Sequence, residues 1–220
     1  MNKRINATKN TSIYLSVLGG MSSLGHGIFE ILQGNMPTSG LRFEAISQAH
    51  RFWEHGGEPA LSIIPNYLIT GILTTIISLA IIIWAITYID KKVGLWGLII
   101  LTILVLIFGG GFAPPTFMIL AIIAASKINK PLVFWKRILL NKFGYALARL
   151  WPLTLSILII CVLFAIKSGI FGFPLINLYN ADIALKFLRS FGFITTFGIG
   201  PIVIISAFAF DIHKHDSFIK

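Results

Sequence analysis

The chain has 220 residues, of which 56% are hydrophobic and only 12% are charged, and its mean hydropathy is +0.86. The charged fraction is about half that of an ordinary soluble domain, which argues against a soluble globular protein. Basic residues outnumber acidic ones and give a formal net charge of +10. The single cysteine, Cys161, excludes an intramolecular disulfide and a cysteine-based zinc motif.

Five hydrophobic regions follow one another along the chain, at about 12–33, 62–89, 94–127, 150–170 and 190–210. A membrane-spanning helix needs about 20 predominantly apolar residues, and the runs Tyr67–Ile89 and Phe191–Phe210 contain no formal charge. These runs lack the alternation of barrel strands, and backbone polar groups in lipid must be satisfied internally. We therefore predict an all-α, polytopic membrane protein that forms a single domain over residues 1–220.

The first region is the least hydrophobic and carries a polar stripe. At about 100° per residue, one helix face collects Gly19, Ser22, Ser23, His26, Glu30 and Gln33. Ionisable side chains at membrane depth usually face the bundle interior or a wet cavity. Ser23, His26, Glu30 and Gln33 are therefore candidates for a ligand or proton pathway. Alternatively, Glu30 and Gln33 are hydrated near the interface, His26 bonds a neighbouring helix, and the small residues form a packing seam.

The connection from Gly34 to Pro59 contains apolar residues at helical spacing between Leu41 and Glu54, which predicts an interfacial amphipathic helix at the outer face. His50 and Glu54 lie four residues apart, with His55 beside them. Imidazole and carboxylate groups bind metals such as zinc, so His50, Glu54 and His55 form a speculative metal site. The alternative is a solvated polar face over the mouth of the bundle.

The third region is interrupted by the sequence Gly109-Gly110-Gly111-Phe112-Ala113-Pro114-Pro115. Three glycines followed by two prolines cannot continue a regular helix, so we predict that the chain turns back there as a hairpin. Its arms are short enough to be either two crossings or a re-entrant loop. Gly109, Gly110, Gly111, Pro114 and Pro115 also resemble the unwound segments that line transporter sites, although a tight turn near the outer surface accounts for the same residues.

The hairpin decides where the basic residues lie. With the amino terminus inside, it places thirteen of the 18 basic residues on one side: Lys3, Arg4, Lys9, Lys91, Lys92, Lys127, Lys130, Lys136, Arg137, Lys142, Arg149, Lys214 and Lys220. Basic residues in short loops favour the cytoplasmic side. The sequence thus predicts six helical segments with both termini in the cytoplasm. The composition is typical of a protein of a bacterial plasma membrane.

The loop 127–149 carries six basic residues and no acidic one, interleaved with apolar side chains. This pattern predicts an inner interfacial amphipathic helix, which Pro131 could open. We expect anionic lipid to contact it at Lys127, Lys130, Lys136, Arg137 and Lys142. No nucleic-acid recognition motif accompanies the positive charge, so we expect no nucleic-acid partner.

Two further features lie near the carboxyl terminus. Lys167, in the outer part of the fourth hydrophobic region, is a candidate ion-pair partner of Glu30, or it extends to the outer interface. The tail from Asp211 to Asp216 alternates acidic and histidine residues and is expected to be a hydrated cytoplasmic end.

No Walker loop, dinucleotide fingerprint, zincin motif or nucleophile elbow is present, and the sequence indicates no cofactor. Three hypotheses follow. The first is a small permease-like or channel-like protein whose polar stripe and helix break line one pathway. The second is an accessory or lipid-organising subunit with a protein partner or a second copy of itself. The third is a membrane-embedded metal-binding protein or enzyme.

Overall fold

The computed structural model describes residues 5–173 and 180–216, and helices dominate them. In chain order the helices are α1 (Ala7–Leu32), α2 (Tyr67–Thr87), α3 (Gly94–Ile107), α4 (Ala113–Ala125), α5 (Val133–Leu139), α6 (Lys142–Phe171), α7 (Ala181–Phe193) and α8 (Gly200–Asp216). A π-helical segment, Ile194–Ile199, joins α7 to α8 as one long helix. Two short strands, β1 (Arg42–Glu44) and β2 (Pro59–Leu61), pair in antiparallel register.

Among the described residues, four helices are long and apolar enough to cross a membrane: α1, α2, α6 and the joined α7–α8 helix. Helices α3 and α4 have 14 and 13 residues, which at 1.5 Å per residue is roughly 20 Å each. That length is shorter than a hydrocarbon core of roughly 30 Å. The all-helical character predicted from the sequence is therefore observed, and six crossings stay a prediction.

The chain reverses direction between α3 and α4. Gly109 and Gly111 adopt positive φ angles of 105° and 79°, a backbone region that L side chains rarely adopt. Pro114 and Pro115 lie in the first turn of α4, where a missing backbone N–H leaves no hydrogen bond unmade. The glycines thus permit the reversal, and the prolines restart the helix immediately after it.

Helix α1 lies at the centre of the bundle and packs against α2 and α4. A Cβ atom added at Gly27 would lie 3.0 Å from the Gly71 carbonyl oxygen of α2, and one added at Gly19 would lie 2.9 Å from the Met118 side chain of α4. Small residues on α1 therefore let two neighbouring helices approach closely, the packing that small residues allow between membrane helices.

One end of the bundle, the basic end, gathers the start of α1, the end of α2 and the end of α8. Lys9 Nζ lies 2.6 Å from Asp90 Oδ2, and this hydrogen bond holds the pKa of Asp90 below its ordinary value. Basic residues lie in the elements that meet here: Lys9, Lys91, Lys92, Lys127, Lys130, Lys136, Arg137, Lys142, Arg149 and Lys214.

The prediction of a hydrated tail is wrong for Asp211 and His213. Helix α8 continues to Asp216, and the Asp211 carboxylate accepts hydrogen bonds from the Ala7 and Thr8 backbone N–H groups and from the Thr8 hydroxyl. His213 Nε2 lies 2.8 Å from the Leu139 carbonyl oxygen of α5. These two side chains join α8 to α1 and α5, because the unsatisfied donors at a helix start need acceptors.

The opposite end, the loop end, carries the connection from α1 to α2. The predicted outer amphipathic helix is wrong, because residues 42–44 form β1 and the helical part of the connection is only one 3₁₀ turn, Gln48–His50. Phe43 and Ala45 are buried whereas Arg42 and Glu44 are exposed, a period of two rather than of 3.6. Pairing with β2 satisfies backbone hydrogen-bonding groups of β1 that would have been satisfied within a helix.

The inner amphipathic helix is shorter than predicted. Helix α5 covers only seven residues, and α6 begins at Lys142, so the rest of the basic loop forms the first turns of a long helix. Asn141 caps α6 by accepting a hydrogen bond from the Gly144 N–H, which explains why the helix starts there rather than at residue 150.

Candidate functional site

The polar stripe of α1 faces the helix break between α3 and α4. Ser23, His26 and Glu30 are all buried. A Cβ atom at Gly109 would lie 2.6 Å from Glu30 Oε2, and one at Gly111 would collide with the His26 imidazole ring. The absence of side chains at these glycines therefore creates the space that the two ionisable side chains of α1 occupy.

Helix α2 adds hydroxyl groups to the same place. The Thr70 hydroxyl lies 2.7 Å from the Phe108 carbonyl oxygen and 2.6 Å from Ser62 Oγ, and the Thr74 hydroxyl also donates to Phe108. These contacts satisfy a carbonyl that the end of α3 leaves without an intrahelical partner. The break is thus stabilised by side chains from α2 while it faces α1.

Glu30 is fully buried, and neither of its carboxylate oxygens has a hydrogen-bond partner among the described residues. The predicted ion pair with Lys167 is absent from the ion pairs of this part of the chain, and Lys167 itself is exposed. An unpaired carboxylate buried in a protein costs several kcal/mol unless it is neutralised. Glu30 is therefore the least satisfied polar group of the α1 stripe.

His26 is paired with Glu58, which the loop end supplies. His26 Nε2 lies 2.7 Å from Glu58 Oε2, and the His26 side chain is 6% exposed while that of Glu58 is 39% exposed. Burial raises the pKa of Glu58, but the hydrogen bond and charge of His26 outweigh this effect, so that the pKa of Glu58 lies below its ordinary value. The pair connects the buried stripe to the surface of the loop end.

We expect the substitution Glu58→Gln to lower the free energy of unfolding by about 1 kcal/mol at neutral pH, because a charge-assisted hydrogen bond is weakened at a partly exposed site. Since folding lowers the pKa of Glu58 from 4.5, its charged form stabilises the protein above that pH, and this stabilisation is lost as the pH falls through the lowered pKa. The measurement is unfolding in detergent micelles across pH.

Glu54→Gln is the matched control, because Glu54 is exposed and its side chain forms no ion pair among the described residues. This control should leave stability unchanged. A difference between the wild type and Glu58→Gln that grows as the pH falls would contradict the assignment.

A cavity of about 500 Å³ lies beside this pair at the loop end, a volume typical of small-molecule sites. Its polar lining includes Arg51, Glu54, Glu58 and Arg189, and its apolar lining is supplied by α4, α6 and α7 with residues such as Phe117, Val162, Ile166 and Leu188. The cavity therefore combines a charged rim with an apolar wall.

The site residues predicted from the sequence differ in their position relative to the cavity. His26 reaches the cavity through Glu58, with which it also lines a smaller void of about 30 Å³. Glu30, Ser23 and Gly109–Gly111 do not line the cavity. Gln33 donates to the Ala45 carbonyl oxygen at 2.6 Å and thereby attaches the loop to α1. Pro114 and Pro115 are buried in the first turn of α4.

The three speculative metal ligands do not converge. His50 Nδ1 lies 2.9 Å from Ser47 Oγ, and His55 Nε2 lies 3.2 Å from Asp182 Oδ1. Among residues 5–173 and 180–216, no group of three His, Cys, Asp or Glu side chains is placed to hold a metal ion. The short 3₁₀ turn removes the four-residue helical spacing on which that hypothesis depended.

Sequence reasoning missed the hydroxyl pair on α2 and the partner of His26. Thr70 and Thr74 are four residues apart in a predominantly apolar helix, so their shared face was detectable from the sequence. The pairing of Glu58 with His26 crosses 32 residues and carries no local signal. The cavity likewise depends on α6 and α7, which are remote from α1 in sequence.

The fold and the site define a class: a helical protein whose described residues include four helices long and apolar enough to cross a membrane, with a buried polar stripe against a helix break. Comparison of the chain with family models, with curated proteins and with solved structures finds no match. Its function must therefore be argued from the site alone.

Proposed function

We propose that this protein is a small permease-like membrane protein that takes a small molecule with polar and apolar parts into the cavity at the loop end. One observation carries the proposal: the buried stripe of α1 meets the helix break, and the His26–Glu58 pair connects it to a cavity of about 500 Å³. Broken helices beside a ligand cavity are a recurring way to build transport sites.

In the proposed topology the basic end faces the cytoplasm, because basic residues are retained on that side. Helices α3 and α4 then form either two short crossings or a re-entrant hairpin whose tip is near the outer face. Both termini are cytoplasmic, and the protein belongs to a plasma membrane, for which the composition favours a bacterial cell. The cavity opens to the outside of that cell.

Lipid is the second proposed partner. Phe134 and Phe143 are 66% and 67% exposed and alternate with basic residues at the basic end: Lys127, Lys130, Lys136, Arg137 and Lys142. Exposed aromatic side chains beside basic ones are typical of segments that lie on anionic lipid. The inner leaflet would thus anchor α5 and the start of α6.

The accessory-subunit hypothesis also has a supporting observation, since the small residues Gly19 and Gly27 do serve as packing seams. In that case the cavity has no transport role. The two functions differ in whether the cavity is reached from both sides of the membrane, because a permease alternates access around one site.

Cysteine accessibility tests the proposal. In a Cys161→Ser background, Ala165→Cys places a thiol in the cavity lining, and we expect a small, charged, membrane-impermeant thiol reagent to label it in intact cells and in inside-out vesicles. Ser39→Cys, at an exposed loop-end position, should react only in intact cells. Ala121→Cys, which is fully buried, should react in neither.

Labelling of Ala165→Cys only from outside would support a static binding site and sink the permease proposal. Labelling of Phe143→Cys from outside intact cells would reverse the proposed topology, because Phe143 lies at the start of α6 in the basic end.

A further inference from the structure

The carboxylate of Glu30 is a buried group that the loop-end cavity does not use. It is fully buried, and both of its oxygens are without a hydrogen-bond partner in the described part of the chain. It also does not line the cavity. A carboxylate in such a position must be neutralised by a bound ion or a proton, because an isolated buried charge is too costly.

The Glu30 carboxylate lies against the backbone of the helix break. The two Glu30 oxygens would lie 2.6 and 2.7 Å from a Cβ atom at Gly109, so they are close to the backbone of the helix break. The carbonyl oxygen of Phe108, the residue before Gly109, accepts hydrogen bonds from the Thr70 and Thr74 hydroxyls. The oxygens of these hydroxyls keep lone pairs available after donating their protons.

Within the described part of the chain, no cationic side chain forms an ion pair with Glu30. Among residues 5–173 and 180–216, the ion pairs involve other carboxylates, and the nearest ionisable side chain along α1, His26, is engaged by Glu58. We propose that Glu30 binds one alkali cation, Na⁺ or K⁺, together with backbone and threonine oxygens at the helix break. This site is distinct from the cavity, and its test does not depend on the permease proposal.

The set of ligands favours a monovalent ion. Calcium sites use six to eight oxygens that often include several carboxylates, and magnesium retains much of its water. The break offers one carboxylate, which balances a single positive charge, and neutral carbonyl and hydroxyl oxygens, which suit alkali ions in broken membrane helices.

Thermal unfolding of the purified protein tests the site. At equal ionic strength, we expect sodium or potassium chloride to raise the melting temperature by about 5 °C relative to choline chloride, because a ligand that binds only the folded state stabilises it. In Glu30→Gln, which keeps the size and removes the charge, the melting temperature should be the same in all three salts. Asp182→Asn, altered at an exposed carboxylate that does not line the cavity, should respond as the wild type does.

Equal melting temperatures of the wild type in all three salts would overturn the proposal and would favour a protonated Glu30. If Glu30→Gln does not accumulate, equilibrium binding of radioactive sodium to the wild type decides, with rubidium as the stand-in for potassium. Saturable binding of one ion per chain supports the site, and no saturable binding of either ion overturns it. Neither measurement requires the cavity to be reached by the thiol reagent, so the two proposals fail separately.

Discussion

Gly111→Ala is expected to be among the most damaging single substitutions in this protein. Gly111 has a φ of 79°, and an alanine residue in the left-handed region costs roughly 1–2 kcal/mol. Its Cβ atom would also collide with the His26 ring, and overpacking of a core costs a further 1–3 kcal/mol or so. We therefore expect a loss of about 2–5 kcal/mol in the free energy of unfolding, measured by reversible unfolding in mixed micelles.

Gly34→Ala is the matched control for backbone strain alone. Gly34 has a nearly identical φ of 72°, and nothing lies within 4 Å of the Cβ atom that the substitution would add. It should cost only the strain, about 1–2 kcal/mol. If the two variants lose the same stability, the close approach of the break to His26 is not important for folding.

The collision of the Gly111→Ala methyl group with His26 should also affect the loop end. Displacement of His26 by the Gly111→Ala side chain would lengthen its hydrogen bond with Glu58. In the Gly111→Ala background, the thiol of Ala165→Cys should therefore react with the thiol reagent at a changed rate, because Glu58 lines the same cavity. This effect would link the helix break to the cavity without any substitution in the cavity itself.

The long apolar helices of the chain were predictable because they depend on local sequence. A span of about 20 apolar residues must satisfy its own backbone by forming a helix, so α2 and α8 follow from their composition. The reversal of the chain at Gly109–Phe112 was also predictable, since glycine and proline act through their own backbone preferences. In both cases the determining chemistry lies within the segment itself.

The connection at the loop end was not predictable on the same basis. Leu41, Ala45 and Ala49 have helical spacing, but the segment 42–44 instead pairs with Pro59–Leu61. Short segments with mixed periodicity are decided by tertiary partners rather than by propensity. Once β1 formed there, His50 and His55 were separated, and the metal hypothesis lost its geometric basis.

The site shows the same division between local and distant information. His26 and Glu30 are buried, as expected for ionisable groups on a helix long enough to span a membrane, so the polar face of α1 was a sound guide. The partners of these residues come from other elements: Glu58 lies 32 residues away, and the glycines of the break lie about 80 residues away. Spacing within one helix carries no information about such contacts.

Substitution of Asp211 is expected to have the second large effect on stability, because this residue of α8 caps the start of α1. Its carboxylate accepts the Ala7 N–H at 2.8 Å, the Thr8 N–H at 2.9 Å and the Thr8 hydroxyl at 2.6 Å. Ala7 and Thr8 are almost completely buried, so water cannot readily replace the lost acceptor. A negative charge at a helix N-terminus is also favoured by the helix dipole.

We expect Asp211→Ala to lower the free energy of unfolding by about 3–5 kcal/mol, since each buried donor left unsatisfied costs roughly 1–3 kcal/mol. Asp211→Asn, which retains one acceptor oxygen, should lose less. Asp182→Ala is the control, because the Asp182 side chain is 78% exposed and forms only a surface pair with His55, worth about 1 kcal/mol or less. Equal losses for Asp211→Ala and Asp182→Ala would mean that α1 does not depend on α8 for its cap.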